Sequence, residues 1–487
     1  MRIIAGAAVI FVLPAALYGQ APDTLWTATF GGSQDEQCYD CIRTADGGYM
    51  MVGYTRSFGA GDDDVWMVKT DGDGTLLWYR TFGGTSSDRG YSVCQTCDGG
   101  YIIGGWSFSF GPGVVDAWVI KTDSLGDLEW DSCFGTENGF ERCYSIIQAA
   151  DSSYVFVGET DNNGTTFSDI WLVKIDREGD LMWDSTFGGS SDDYGIDVIE
   201  RSDGGYALTG WTYISGYTDT RIISTDESGT MLHESVIGYG GDDRGWDMKQ
   251  LSDGGFLIAG ETSSTVSGKF DAWLVRTDNE CVLSWDAFLG TDEDDYGSAL
   301  EVLSSGEYAI CGRSISPGAN NENLWVVLTD TTGSVIWDMA FGGSGTDAGH
   351  SVHETDDGGL VMGGYTSSFG SGGLDMWLLK TEEFVSVEQR TIPAAGSLEI
   401  LSADPNPFNC TCSIVVSTDC AGPVDAAVYS VDGRRIATLE QTGAGSSTRM
   451  MVWNGRDDNG TLAASGMYLL QVTVGGEAAS TKLYLLR

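Results

Sequence analysis

The feature that most constrains the fold is a short motif that returns seven times at a nearly fixed interval. In its fullest form it is Asp-Gly-Gly followed by an aromatic residue, as in 46–49. The seven copies begin at Asp46, Asp98, Asp151, Asp203, Asp253, Ser305 and Asp357. The intervals are 52, 53, 52, 50, 52 and 52 residues, too regular to arise by chance. Such a period is typical of proteins in which each repeat is one supersecondary unit.

Other motifs keep the same interval, and together they predict about four short strands per repeat. One reads Asp-x-Trp-x-x-Lys-Thr-Asp, one is a turn glycine before an apolar strand that ends in Trp, and one is Phe-Gly-Gly. Runs rich in Val, Ile, Tyr and Trp alternate with Gly, Asp and Ser turns, and no stretch has helical periodicity. Four strands in about 50 residues predict a β-propeller blade.

The two ends of the repeat array predict a closed ring. The seventh repeat stops after Thr381 without a fourth strand, whereas the array begins with an unpaired strand at 24–30. If this strand completes the last blade, two free sheet edges disappear. The sequence therefore predicts an all-β chain with a seven-bladed β-propeller at 22–383, a linker at 384–397, and a small Ig-like β-sandwich of six or seven strands at 398–487.

The N-terminus predicts export. Arg2 is followed by an apolar stretch and then by small residues near positions 19–21, so residues 1–20 are interpreted as a signal peptide. The apolar stretch is shorter than the roughly 20 residues of a membrane span, and no second such stretch follows. We therefore expect a secreted or surface-attached protein with no membrane span after cleavage.

The charge is strongly negative and belongs to the repeats. The formal net charge is −46; residues 395–487 contribute nine acidic and six basic residues, a net of −3, which leaves −43 for residues 1–394. Such a surface repels nucleic acid and anionic membranes. It is suited to cations or basic partners, or simply keeps an exported protein soluble.

Cysteine usage leaves several interpretations open. The chain has 11 cysteines, an odd number, and two pairs are spaced as Cys38-x-x-Cys41 and Cys94-x-x-Cys97. Export permits local disulfides, burial would keep free thiols, and the spacing also fits metal half-sites.

Acidic residues recur once per repeat after Phe-Gly-Gly, and two roles suit them. Calcium prefers carboxylate oxygens, and Asp is also a common turn and capping residue. The acids selected as calcium ligands are Asp35, Asp88, Asp193, Asp243, Asp295 and Asp347. No other cofactor is expected.

The fourth repeat departs from the pattern and is the candidate binding region. Arg221 and His233 replace two repeated tryptophans, and the interval shortens to 50 residues, so the segment 212–220 is predicted to be a binding loop, unless this repeat has merely drifted. The repeated tryptophans themselves favour packing between sheets, with a carbohydrate-stacking platform as the alternative. His350 and His353 are interpreted as repeat variation, or as a pair of metal ligands.

The last 85 or so residues resemble a known family. They contain Pro-Asn-Pro-Phe-Asn at 405–409, an Asp-Gly-Arg-Arg segment at 432–435, Trp-Asn-Gly-Arg-Asp-Asp-Asn-Gly at 453–460 and Ser-Gly-Met-Tyr at 465–468. In order and spacing this series resembles the FlgD-type Ig-like domains and the type IX secretion C-terminal sorting domains of exported bacterial proteins. The resemblance implies recognition by type IX-like secretion machinery through Asn406, Pro407, Phe408, Asn409, Gly433, Arg434, Trp453, Gly455, Asp457, Gly460, Gly466 and Tyr468.

No catalytic motif is evident in the repeats. The chain has three histidines and contains no serine-nucleophile elbow, zinc-protease helix or phosphate-binding loop. We therefore predict a secreted, non-catalytic binding or structural protein whose propeller presents loops to a protein, a glycan or a cation. The alternative is a propeller glycan hydrolase or lyase, which exposed aromatics beside two unrepeated carboxylates would favour.

Overall fold

A computed structural model describes residues 24–161, 167–265, 268–315, 321–383, 398–404, 412–418, 424–430, 434–439, 441–444, 448–458, 460–463, 466–474 and 477–485. These residues contain 36 strands and no helix. They fall into two compact units, one with strands β1–β28 and one with β29–β36. None of the described residues forms a helix that is long and apolar enough to cross a membrane.

The larger unit consists of seven four-stranded antiparallel sheets. In chain order their strands are β2 Glu36–Arg43, β3 Tyr49–Thr55, β4 Asp64–Thr70 and β5 Leu76–Phe82; β6 Asp88–Gln95, β7 Tyr101–Ser107, β8 Asp116–Thr122 and β9 Leu128–Phe134; β10 Glu141–Gln148, β11 Tyr154–Thr160, β12 Asp169–Ile175 and β13 Leu181–Phe187; β14 Asp193–Glu200, β15 Tyr206–Ile214, β16 Tyr217–Thr225 and β17 Met231–Ile237; β18 Asp243–Gln250, β19 Phe256–Thr262, β20 Asp271–Thr277 and β21 Leu283–Leu289; β22 Asp295–Val302, β23 Tyr308–Ser314, β24 Asn323–Thr329 and β25 Val335–Phe341; and β26 Asp347–Glu354, β27 Leu360–Thr366, β28 Asp375–Thr381 and β1 Thr24–Phe30.

The N-terminal strand β1 lies in the last of these sheets. It pairs antiparallel with β28, from Thr24 opposite Thr381 to Phe30 opposite Met376. The unpaired strand recognised in the sequence therefore supplies the fourth strand that the seventh repeat lacks. This all-β arrangement of four-stranded antiparallel sheets is consistent with a β-propeller.

The repeated Asp-Gly-Gly and Lys-Thr-Asp motifs meet in space. In the first sheet Gly47 adopts a left-handed backbone (φ 82°) at the β2–β3 turn, and Asp46 accepts the Gly48 N–H at 3.1 Å. The ammonium of buried Lys69, on β4, lies 3.0 Å from the same carboxylate. The equivalent pairs are Lys69–Asp46, Lys121–Asp98, Lys174–Asp151, Arg276–Asp253 and Lys380–Asp357.

Tryptophans of the outer strands pack on turn glycines of the following sheet. A Cβ on Gly126 would lie 2.5 Å from the Trp78 ring, so the indole takes the space of a side chain. The same relationship joins Trp26 to Gly74, Trp130 to Gly179, Trp183 to Gly229 and Trp285 to Gly333. Because Trp26 belongs to β1, this packing also connects the last sheet to the first. These rings therefore hold adjacent sheets together, as their repetition predicts.

The smaller unit has two four-stranded antiparallel sheets around one apolar cluster. The sheets contain β29 Leu398–Asp404, β30 Cys412–Thr418, β34 Thr448–Trp453 and β33 Gln441–Ala444; and β32 Arg435–Leu439, β31 Val424–Ser430, β35 Gly466–Val474 and β36 Glu477–Leu485. Both sheets contribute to the cluster, which includes Ile414, Met451 and Trp453 from one sheet and Val428 and Leu470 from the other.

Two expectations from the sequence need correction or completion. Segment 212–220 is not a loop, because β15 and β16 continue to Ile214 and Tyr217 and leave only Ser215 and Gly216 in the turn. Both turn residues have positive φ (54° and 104°), as in a type I′ hairpin. The fourth repeat therefore has two paired strands and a tight turn where the sequence analysis predicted a loop. In the larger unit, the eight described cysteines, which include Cys38, Cys41, Cys94 and Cys97, are free thiols.

Candidate functional site

The first strands of the seven sheets lie together. Each contacts the first strand of the next sheet, and β26 contacts β2. We call them the first strands: β2, β6, β10, β14, β18, β22 and β26. Side chains at equivalent positions of these strands are therefore brought near one another, which makes this the place where unlike residues from different repeats can act together.

A buried acid begins every first strand, and the structure corrects the register of the acids that the sequence selected. Asp88, Asp193, Asp243, Asp295 and Asp347 hold this position. In the other two sheets it belongs to Glu36 and Glu141, which sequence comparison missed because Glu replaced Asp. Asp35 lies one residue too early and instead pairs with Arg56 at 3.1 Å.

These acids hold loops in place. Asp88 accepts hydrogen bonds from the Ser107 hydroxyl, from Ser109 Oγ at 2.7 Å and from the Gly84 N–H at 2.8 Å. Its counterparts likewise accept from hydroxyl, guanidinium or backbone donors. Within the described ranges no three His, Cys, Asp or Glu side chains are grouped so that they could hold a metal ion. Turn and capping roles account for the contacts seen.

The unlike residues lie one position further along, where each first strand faces the second strand of its sheet. In the repeats this second-strand position is the variable residue of a Gly-x-Thr/Ser motif. We call the seven cross-strand pairs the variable layer: Gln37–Tyr54, Arg89–Trp106, Arg142–Glu159, Tyr194–Trp211, Arg244–Glu261, Tyr296–Arg313 and Ala348–Tyr365. The Gly and the Thr or Ser beside this second-strand position repeat in all seven sheets, yet the layer itself combines guanidinium, carboxylate, phenol and indole groups.

Ion pairs in the variable layer bury the acid and leave the base accessible. Arg142 lies 2.6 Å from Glu159, whose carboxylate also accepts the Tyr144 hydroxyl at 2.9 Å. Arg244 lies 2.9 Å from Glu261. The two glutamate side chains are 4% and 7% exposed, whereas the arginines are 31% and 28% exposed. Burial raises the pKa of Glu261, and Arg244 opposes that shift.

Aromatic rings line the same region. Trp211 lies between Tyr194, at 5.7 Å, and Trp246, at 4.9 Å between ring centroids. On the other side Tyr39 stacks on Tyr91 at 4.5 Å. Further ring contacts are Tyr91–Tyr144, Tyr39–His350 and His350–Tyr365. Burial, with Arg313 nearby, lowers the pKa of His350 to about 4, so its imidazole is neutral at pH 7.

A second group of unlike side chains lies nearer the C-terminal ends of the first strands. We call it the acid–base cluster, and its members are Asp197, Asp247, Lys249, Glu301 and His353. Lys249, Glu301 and His353 occupy one register position in three consecutive first strands. Lys249 lies 2.7 Å from Asp247, and His353 Nδ1 lies 3.6 Å from Glu301. His353 Nε2 is 2.7 Å from the Cys41 carbonyl oxygen, so this histidine is not paired with His350. Burial and then Asp247 raise the pKa of a further member, Asp197, to about 7.

Arg221 and His233, which the sequence analysis selected in the fourth repeat, have different surroundings. Arg221 Nε donates to Glu234 at 2.7 Å, which reproduces the bond of Trp118 Nε1 to Asp131 in the second sheet. A cavity of about 230 Å³ adjoins Arg221. His233 lies opposite Ser224 at the position of the outer-strand tryptophans. The next sheet has Cys281, with φ 65°, at the turn position where glycine otherwise receives a tryptophan.

In the smaller unit, the described residues among those selected by the sequence resemblance build turns. Trp453 Nε1 donates to the Arg456 carbonyl at 2.9 Å, and its ring contacts Tyr468 at 5.0 Å. Asp457 accepts the Thr461 N–H at 2.8 Å. The remaining described residues are Arg434, whose carbonyl accepts from Ser430, Gly455 and Gly460, with positive φ, and Gly466, which begins β35. Asn406, Pro407, Phe408, Asn409 and Gly433 lie outside the described residues.

Sequence comparison did not select the variable layer, and of the acid–base cluster it singled out only His353, as repeat variation or as a metal ligand paired with His350. The repeats were compared through their shared residues, whereas a site for a ligand without sevenfold symmetry occupies the positions that differ. The sequence does contain a signal for the variable layer, namely the residue between Gly and Thr or Ser in each repeat. From the first repeat to the seventh this residue is Tyr, Trp, Glu, Trp, Glu, Arg and Tyr.

The described residues form an all-β protein of four-stranded sheets, which is consistent with a β-propeller. No protein-family profile matches the chain, and no curated protein matches it. Similar solved structures include a fungal alcohol oxidase of the AA5 family in complex with copper, at 11% identity and a TM-score of 0.48, covering 96% of this chain and 100% of the other. PorZ, a surface component of the type IX secretion system of Porphyromonas gingivalis, has 12% identity and a TM-score of 0.42, covering 94% and 60%. A PL25 ulvan lyase has 10% identity and a TM-score of 0.46, covering 76% and 98%. Similarity at this level assigns no activity to the chain.

Proposed function

We propose that the chain is a secreted or surface-attached binding protein in which a closed seven-bladed β-propeller presents the variable layer to a ligand. A small Ig-like domain follows it and acts as an export or anchoring signal for type IX-like secretion machinery. The observation that carries the binding role is the variable layer itself. The Gly and the Thr or Ser on either side of its second-strand residue repeat in all seven sheets, whereas the residue between them changes its chemistry from one repeat to the next.

The pattern of exposure supports binding over a purely structural role. In the pair Arg142–Glu159 the carboxylate is covered and the guanidinium reaches solvent, and the pair Arg244–Glu261 repeats this arrangement. An accessible guanidinium beside partly exposed aromatic rings is a common composition of binding surfaces. The acid–base cluster lies further along the same first strands and adds polar groups next to the variable layer.

Binding is tested by presenting the full-length chain to an array of defined glycans and peptides. The double variant Arg142→Ala, Arg244→Ala is compared with Lys269→Ala; the Lys269 side chain is 43% exposed and lies outside the variable layer. We expect the double variant to lose the signal of the wild-type chain and Lys269→Ala to retain it. If the double variant folds and binds every probe as the wild type does, the variable layer is not the binding site.

The export role needs its own experiment. In a bacterium with type IX secretion, the full-length chain is expected at the outer surface or in the medium, and a chain that ends at residue 397 is expected to remain in the periplasm. Equal secretion of both chains would disprove the sorting role of 398–487.

A second candidate function is a secreted glycan hydrolase or lyase. It is favoured by Glu159 and Glu261, two unrepeated carboxylates at one register position, next to Tyr144 and Trp246. Glycosidases place two carboxyl groups around the scissile bond, and a raised pKa suits the general acid. Release of reducing ends or unsaturated products that Glu261→Gln abolishes would establish this alternative.

A further inference from the structure

We infer that the ligand of the variable layer is a neutral glycan; this inference rests on the binding role proposed above. Charge is the first reason. The chain carries a net charge of −46, which disfavours a polyanion such as a uronate or sulfated polysaccharide. Further carboxylates stand close to the layer, including Asp63, 2.5 Å from Arg89, and Glu322, 3.3 Å from Arg313.

A polycation fits no better, because the carboxylates of the layer are already engaged. Glu159 and Glu261 are covered and paired with Arg142 and Arg244, and Asp63 is paired with both Arg56 and Arg89. Among the charged side chains of the layer itself, only the guanidiniums reach solvent appreciably, and they would repel a lysine-rich or arginine-rich peptide. The layer is thus locally neutralised, and its exposed polar atoms are hydrogen-bond donors rather than unpaired charges.

The subsite around Trp211 has the composition that a pyranose ring requires. The indole rings of Trp211 and Trp246 meet edge to face with their centroids 4.9 Å apart, and the Arg244 guanidinium lies 5.9 Å from the centroid of the Trp211 ring. The apolar C–H face of a sugar packs on an aromatic ring, while its hydroxyls accept hydrogen bonds from a guanidinium such as that of Arg244. Tyr194, next to Trp211, extends the aromatic surface toward the third sheet. The row Tyr194–Trp211–Trp246 is therefore the predicted stacking surface.

Isothermal titration calorimetry on the full-length chain tests this inference. The neutral probes are the hexamers of β-1,4-glucose, β-1,3-glucose, β-1,4-mannose and β-1,4-xylose; the charged probes are hexagalacturonate and nonalysine. We expect at least one neutral hexamer to bind. Since the ligand is uncharged, its affinity should stay constant between about 0.05 and about 0.5 M salt. Trp211→Ala should weaken it by about tenfold, the loss expected when one aromatic contact worth about 1.4 kcal/mol is removed.

The control variant is Phe288→Ala, which removes a 50% exposed ring from an outer strand, and it should bind as the wild type does. Circular dichroism and a thermal melt verify that both variants are folded. If Trp211→Ala unfolds, Arg244→Met replaces it, with the same expected loss.

Three results would overturn the inference. If no neutral hexamer binds at about 5 mM, or if bound hexamers ignore both Trp211→Ala and Arg244→Met, the layer is not a neutral-glycan site. If hexagalacturonate or nonalysine binds instead, with the same dependence on these variants, the ligand class is wrong while the proposed binding role survives. The binding role itself is disproved by a different result, namely that variants of the variable layer bind every probe on the array as the wild-type chain does.

Discussion

The Arg221 guanidinium lies 2.9 Å from the Asp193 carboxylate, and both side chains are nearly inaccessible, at 11% and 3% exposure. Arg221 stands where the six other repeats have a tryptophan, four of which donate the indole N–H to an aspartate of the fourth strand. Its Nε keeps that bond, to Glu234, while its Nη1 reaches Asp193. The anomaly that marked the fourth repeat in the sequence is therefore a structural exchange of one donor for another.

This exchange predicts the effect of removing the guanidinium. Arg221→Leu leaves Asp193 buried without its counter-ion, so we expect a loss of about 3–5 kcal/mol in the free energy of unfolding. Arg221→Trp restores the tryptophan of the other repeats and can still donate to Glu234, so its loss should be smaller. Urea unfolding of the three proteins measures the order. Equal stability of Arg221→Leu and the wild type would show that the ion pair contributes nothing.

Adjacent glycines of one Phe-Gly-Gly motif offer a matched pair of substitutions. A Cβ on Gly188 would lie 1.8 Å from Asp169 Oδ1, whereas a Cβ on Gly189 would meet no atom within 4 Å. Gly188→Ala should therefore destabilise the protein by about 1–3 kcal/mol through overpacking. Gly189→Ala should be neutral or stabilise it by up to about 1 kcal/mol, because alanine restricts the unfolded chain. Thermal melts of both variants distinguish this explanation from a general intolerance of the loop.

Much of the architecture could be predicted because packing repeats with the sequence. The Asp-Gly-Gly turn, the buried Lys69 and the outer-strand Trp78 each recur, since every sheet meets the same neighbour. The variable layer could not be found in this way, because it is defined by difference. Asp35 was misplaced for a related reason: a composition match cannot tell it from the neighbouring Glu36, whose buried carboxylate accepts the Thr55 hydroxyl at 2.9 Å.

Opposite pKa shifts predict maximum stability in mildly acidic solution. Partners such as Lys69 and Thr44 hold the pKa of Asp46 at about 2 despite partial burial, and the turn acids of three other repeats behave alike. Their contribution is present above the unfolded pKa of about 4 and is lost as pH falls toward 2. Burial raises the pKa of acids between sheets, including Asp64 and Asp375, so their contribution is present below pH 4 and is lost as pH rises.

His350 adds an opposing effect, because its lowered pKa of about 4 removes stability as pH falls below the unfolded value of about 6.5. We therefore expect the melting temperature to be highest between about pH 5 and about pH 6.5, to fall toward about pH 8, and to fall again below about pH 4. Calorimetric scans across this range measure it. Asp197, with its pKa at about 7, extends the loss toward neutrality, so Asp197→Asn should reduce the fall in melting temperature between about pH 6 and about pH 8. Arg80→Gln, which alters a surface pair with Asp127, serves as the control. A melting temperature that rises steadily from pH 5 to pH 8 would contradict the assignment.

The described cysteines predict a simple labelling pattern. Cys97 is exposed in a turn, whereas Cys143 and Cys311 are fully buried. Because the thiolate is the reactive form and burial raises the pKa of both buried thiols, iodoacetamide at about pH 8 should modify Cys97 long before either of them. Peptide mass spectrometry at successive times gives the order, and Cys97→Ser should remove the fast phase among these sites. A disulfide between Cys94 and Cys97 would instead protect Cys97 until a reductant is added, and that result would contradict the free thiols of the structure.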